Sequence, residues 1–256
     1  DYQNVDGGFG HGLEPDLRTA DSSVLATTVG LRILHQARIG PEHEMVRGAL
    51  CYLLDRYDED MHAWPIVPPE DDGHPHAPWF DRGEDFAERW NTFQANPKAE
   101  VTGYLWIWEN IVPDSFLCRV CQETADWLTA HRNGMEMHEM LCYLRLVEHP
   151  VLPPERRRAL LSELQQAVNH VLERNPERWD SYCLRPLDVA PKPQSPLAGM
   201  VADLVPADLA FTVESQGGDG SWKPVWDWGG RHSDAWSLAH REWSGILTLQ
   251  ALRRLR

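Results

Sequence analysis

The 256-residue chain carries 39 acidic against 24 basic residues, a formal net charge of -15 that repels phosphate backbones and anionic membrane surfaces, so no nucleic acid is expected as partner. With 42% hydrophobic residues it can build one large domain or two small ones, and it has no apolar run long enough to span a membrane. Five Cys without regular spacing and no secretory signal read as a reduced, cytoplasmic protein, while the start at Asp1 leaves room for a removed upstream segment, an outer helix included.

Residues 3–26, QNVDGGFGHGLEPDLRTADSSVLA, pack a turn, a loop with acids and a histidine, and a helix start into one segment. Gln3, Asp6, Gly7 and Phe9 spell QxxDGxF, and Gln216, Asp219, Gly220 and Trp222 spell QxxDGxW, so the pattern repeats near the far end. The Gly suits backbone angles other residues resist, the Asp bonds its own turn, and the ring plugs a gap between helices, with the Gln bonding a helix end. That reading is structural and is preferred to a ligand role.

A helix over 22–38, capped by Asp21, is apolar nearly all round through Val24, Leu25, Ala26, Val29, Leu31, Ile33 and Leu34, and so must be buried on nearly all sides. The helix over 41–56 is one-sided. Residues 57–94 are too rich in Pro and Gly to be regular. The alternation then resumes: 97–111 apolar all round, 114–130 amphipathic, 135–147 broadly apolar, 154–174 with a clean Leu and Val stripe. After a second irregular stretch, 175–196, come a short helical piece over 197–214 and a final helix over 240–256. No stretch shows strand periodicity.

QxxDGxW resembles the QW-type repeat of the terpenoid cyclases and protein prenyltransferases, a likeness carried by the two ends of the chain and, between them, by the helix pattern alone. The resemblance implies an all-α fold, a single α/α toroid domain over residues 1–256 in which inner helices surround a cavity and outer helices cover them. It also implies an isoprenoid or other apolar small substrate, possible acid-initiated cyclisation and no cofactor. Tyr104, Trp108 and Trp243, on the broadly buried helices, are the expected substrate-binding wall; His76 and Trp79, in the first irregular stretch, are the expected lid.

His11, Glu14, Asp16 and Asp21 are the candidate catalytic residues. Class II cyclases of the resembling group protonate their substrate from a DxDD motif at the start of an inner helix. Here Thr19 and Ser22 stand where two of those carboxylates would be. A carboxyl group desolvated by apolar neighbours keeps its proton at neutral pH and can deliver it, so Asp16 or Asp21 beside a dry cavity should titrate well above the ordinary ~3.9 of an Asp. For Asp21 an ordinary cap comes first, because a helix N-terminus favours the carboxylate; for His11, Glu14, Asp16 and Arg18 the alternative is a surface ion-pair cluster.

Asp71, Asp72, His74 and His76 could hold a divalent ion, but a solvated loop is the preferred reading and no metal is expected. Asp180, Cys183, Asp234 and His240 lack the DxC spacing of a prenyltransferase zinc site, and Cys118 and Cys121 read as buried thiols. GxSxG, HExxH, a P-loop and DDxxD are absent. Two rival functions stay open, a carbohydrate-active toroid (lyase or hydrolase) and a module that binds a ligand or partner without catalysis. The oligomeric state is not legible.

Overall fold

The computed structural model describes residues 1–66, 73–84, 86 and 94–256. Among them are nine α-helices and no strand: α1 (Val24–Gln36), α2 (Glu44–Asp55), α3 (Ala95–Ile107), α4 (Asp114–His131), α5 (Met137–Glu148), α6 (Pro154–Val171), α7 (Pro186–Val189), α8 (Val205–Glu214) and α9 (Ser233–Arg254). The all-α expectation holds. No helix among the described residues is long and apolar enough to cross a membrane.

The cap of α1 corrects the sequence reading. Ser23, not Asp21, takes the extended cap conformation, and its hydroxyl accepts the Ala26 N–H at 3.0 Å. Asp21 is exposed two residues earlier, its own N–H donated to the Thr19 hydroxyl. The final helix also begins a full turn and more before residue 240, with Asp234 in its first turn where a negative charge suits the helix dipole. Within 175–196 a single helical turn, α7, was not anticipated; Pro186 at its first position and the Asp188 carboxylate accepting the Arg185 N–H start it.

The helices that read as apolar all round are neighbours. α3 packs on α1 and on α5, and α5 packs on α7. The one-sided helices lie against them, α2 on α1, α4 on α3 and α6 on α5, and the short α8 packs on α7. Two large apolar cores result, one built on Leu31, Leu50, Leu53 and Leu105, the other on Leu128, Met140, Tyr143 and Leu164. α9 comes back to the start of the chain, with Arg253 donating to Gln36 of α1 at 3.0 Å, Arg254 bonded to Asp188 of α7, and Glu242 paired with Arg18.

The two QxxDGx turns are wired alike. Gln3 Nε2 donates to Gly7 O at 2.8 Å and Gln216 Nε2 to Gly220 O at 2.9 Å. Asp6 accepts the Gly8 N–H and Asp219 the Ser221 N–H, both at 3.0 Å. The aromatic residue then donates its own N–H to a threonine hydroxyl on the next long helix, Phe9 to Thr27 of α1 and Trp222 to Thr248 of α9. Both glycines take positive φ, 87° and 82°. In the first turn Gln3 also donates to Met45 O of α2, and a Cβ on Gly7 would sit 2.3 Å from Gly48 O.

Candidate functional site

The loop over residues 10–20 is held in a fixed path. Leu17 N–H donates to Glu14 O, and Arg18 N–H and Ala77 N–H bond across to Pro75 O and Asp16 O, the latter at 2.8 Å. Leu17 drops into a small third core with Ile66, Ala77, Phe80, Trp228 and Ala239. With Leu17 anchored there, Glu14 and Asp16 are carried inward rather than to solvent, and both are buried.

Tryptophans close around Asp16. Trp228, fully buried, donates its indole N–H to Asp16 Oδ1 at 2.9 Å. The indole N–H groups of Trp243 and Trp226 also favour the Asp16 carboxylate, although neither reaches a hydrogen-bond geometry and both are buried without a partner among the described residues. Ring contacts extend the wall: Trp226 to Trp243 at 5.2 Å, Trp226 to Tyr182 at 5.2 Å, and Trp228 to Trp236 at 5.6 Å. Trp226 and Trp228 come from one extended loop, and Trp236 and Trp243 sit two helical turns apart on α9, with His240 between them against the Trp236 ring.

Burial, then the neighbouring charge of Asp16, pushes the Glu14 carboxyl up to about 8. Burial also raises Asp16, with the indole donors of Trp228, Trp243 and Trp226 opposing the rise. At neutral pH Glu14 therefore keeps its proton, and of the two acids Asp16 is the better stabilised as an anion.

A second buried carboxylate behaves in the opposite way. Glu100 of α3 accepts from Arg32 of α1 at 2.7 and 2.8 Å, from Arg145 of α5 at 2.6 Å and from the Tyr104 hydroxyl at 2.8 Å. Burial alone would raise it, but Arg145 and Arg32 outweigh burial and bring it down to about 2. Arg32 keeps 29% of its side chain open, and it is near enough for its charge to act on Glu14. Tyr182 is 51% open.

Of the residues singled out in the sequence, Glu14, Asp16 and Trp243 come together here. His11 is exposed with a left-handed backbone, its Nε2 2.9 Å from Asn4 Oδ1, and Asp21 is exposed as well, so neither joins the buried cluster. His76 lies behind the Trp228 layer, its Nδ1–H donated to His74 O at 2.7 Å and its ring 6.1 Å from that of His232. Trp79 is at the surface beside Phe80, 36% open. Tyr104 contributes only its hydroxyl, to Glu100, and Trp108 is packed in the first core against His35.

Asp71 and Asp72 lie outside the described residues, among which no group of three or more His, Cys, Asp or Glu is placed to hold a metal. All five Cys are free thiols; Cys121 is buried as expected, but Cys118, one turn earlier on α4, is exposed. The residues that the sequence reading passed over are Tyr182, Trp226, Trp228, Trp236 and the Arg32, Glu100 and Arg145 triad. Two signals pointed to them: the pair Trp226-Asp227-Trp228, and Arg32 within a helix otherwise apolar nearly all round. Comparison of the chain with protein-family models, with curated proteins and with solved structures finds no match.

Proposed function

We propose that the protein is an acid catalyst similar to the class II terpenoid cyclases, and that Glu14 protonates an apolar, isoprenoid-like substrate inside an α/α toroid. One observation carries the proposal: the Glu14 carboxyl, pushed up to about 8 by burial, lies next to an Asp16 carboxylate that the indole N–H groups of Trp228, Trp243 and Trp226 favour. The ring arrangement is supported by the succession α1, α3, α5, α7 on one side of α2, α4, α6, α8, and by α9 bonding to both α1 and α7.

In this reading the Glu14 O–H bond breaks toward a substrate double bond, whose π pair forms the new C–H bond and leaves a cation on the adjacent carbon. The faces of Trp226, Trp236, Trp243 and Tyr182 supply negative quadrupole for that cation, and the Asp16 carboxylate supplies full charge. The Glu14-Pro15-Asp16 segment would thus do the work of the DxDD motif that the chain lacks.

The test is incubation with linear isoprenoid alcohols, diphosphates and epoxides, comparing Glu14→Gln, Asp16→Asn and Asp21→Asn with the parent. Glu14→Gln should lose about 10²-fold to 10⁴-fold in turnover, while Asp21→Asn, outside the pocket, should match the parent. Full activity in both Glu14→Gln and Asp16→Asn would refute the assignment.

A carbohydrate-active enzyme is the second reading, favoured by the unpartnered indole N–H groups of Trp226 and Trp243, which suit a substrate hydroxyl. Aryl glycosides and polysaccharides in the same assay separate the two. Saturable binding without turnover of either class would instead favour the non-catalytic module.

A further inference from the structure

Outside the acid pair, the aromatic wall ends in a hydrogen-bonded chain of three ionisable side chains. Glu136 is the N-cap of α5 and accepts the His138 backbone N–H, with Glu139 closing the capping box behind it. The same carboxylate lies 2.8 and 2.9 Å from His138 Nδ1, and His138 Nε2 lies 2.7 Å from the Tyr182 hydroxyl. An ionised carboxylate only accepts, so Nδ1 of the neutral ring must carry the hydrogen, and Nε2 is left as the acceptor for the phenol. The order is therefore carboxylate, imidazole, hydroxyl, with every donor pointing toward Glu136, the same logic that activates a serine or cysteine nucleophile through histidine.

The ring of Tyr182 lies on the aromatic wall. The Tyr182 ring is 5.2 Å from Trp226, which contacts Trp243, and those two indoles lean on Asp16. The charged groups that act on Tyr182 are Glu136 from α5, Asp16 and Glu14 from the first loop, and Asp188 from α7, all of them acidic. With burial they push the phenol up, so a standing phenolate is disfavoured and the oxygen can act as a base only while its own proton is passing to His138.

We infer that Tyr182, His138 and Glu136 form a proton-accepting relay whose working end lies on the aromatic wall, so that the pocket holds a base as well as the Glu14 acid. The relay itself stands on its geometry; its role as the base that ends a reaction rests on the acid reading above. In that role a C–H bond next to the substrate cation breaks, its electron pair becomes a new double bond, and the proton goes to the Tyr182 oxygen. The phenolic proton moves to His138 Nε2, the imidazolium is held by Glu136, and the exposed Glu136 end returns the proton to solvent. One proton given by Glu14 and one recovered leaves the substrate isomerised.

The relay can be tested without a substrate by labelling with an arylsulfonyl fluoride, in which the phenol oxygen bonds sulfur, fluoride leaves and the phenolic proton goes to His138. Tyr2, 47% open against 51% for Tyr182, is the internal reference. Mass-spectrometric mapping should show Tyr182 reacting at least about tenfold faster than Tyr2 in the parent, an advantage removed by His138→Gln and reduced by Glu136→Gln. Equal rates for the two tyrosines, or an advantage that survives His138→Gln, would overturn the relay. In the isoprenoid assay, Tyr182→Phe should divert product from olefin to water-captured alcohol. An unchanged product ratio would sink the base role and leave the Glu14 assignment standing, whereas fast labelling in a parent without turnover would sink the Glu14 assignment and leave the relay.

Discussion

Glu14→Gln makes a prediction about folding that needs no substrate. An exposed glutamate titrates near 4.5, and Glu14 in the folded chain near 8. Because the folded state holds this proton more tightly than the unfolded state, stability contributed by protonated Glu14 is intact below about pH 4.5 and falls as pH rises to 8, where it levels off. A span of 3.5 pH units at about 1.4 kcal/mol each makes the full loss roughly 5 kcal/mol. Glutamine removes the titration and keeps the side-chain oxygen that faces the Asp16 N–H, so it adds an offset that does not vary with pH.

The assay is urea unfolding of parent and variant at unit steps from pH 5 to 9. The difference in stability should move in favour of the variant by about 1.4 kcal/mol per unit up to pH 8 and then flatten, equivalent to a melting-temperature change on the order of 10 °C across the series. Parallel curves for the two proteins would show that Glu14 is not desolvated as described, and the general-acid assignment would go with it.

Glu100→Gln should show the opposite pH dependence. Glu100 is held near 2 against an ordinary 4.5, so it contributes about 3 kcal/mol above pH 4.5 that disappears as pH falls toward 2; melting should separate parent and variant at pH 7 and bring them together only near pH 2. Gly220→Ala should cost about 1 to 2 kcal/mol from its left-handed backbone alone, whereas Gly7→Ala should cost roughly twice that or more, because its methyl must also displace the α2 backbone. Ser23→Ala should lower stability by about 1 kcal/mol and Asp21→Ala should leave it unchanged, which circular-dichroism melting of the pair will decide.

The helices were legible because burial leaves a periodic trace. α1, α3 and α5 read as apolar all round and α2, α4 and α6 as one-sided, and each one-sided helix packs on one of the others, although Ile33 of α1 is exposed. The cap was misread by two residues because Asp21 and Ser23 both suit a helix start, and only the backbone path, bent back by the Phe9 and Ser23 bridge, decides which hydroxyl or carboxylate faces Ala26. Of the site, the first loop could be located from its acids, but which acids turn inward depends on where Leu17 is anchored, a contact with residues 75–77 that carries no periodic signal. Tyr182 and His138 meet across 44 residues of chain, and no local pattern joins them.

The shared carboxylate of Glu100 bears on how the molecule opens as well as on how it holds together. It ties α1, α3 and α5 together: withdrawing α3 strips both guanidiniums of their counter-charge, and withdrawing α1 or α5 leaves the buried Glu100 with one arginine in place of two. Piecemeal fraying of these helices near the junction is therefore costlier than their joint release. Amide hydrogen exchange around Arg32, Glu100 and Arg145 should report one common opening event, while α2 and α6, which hold no share in the junction, remain free to exchange through smaller local fluctuations.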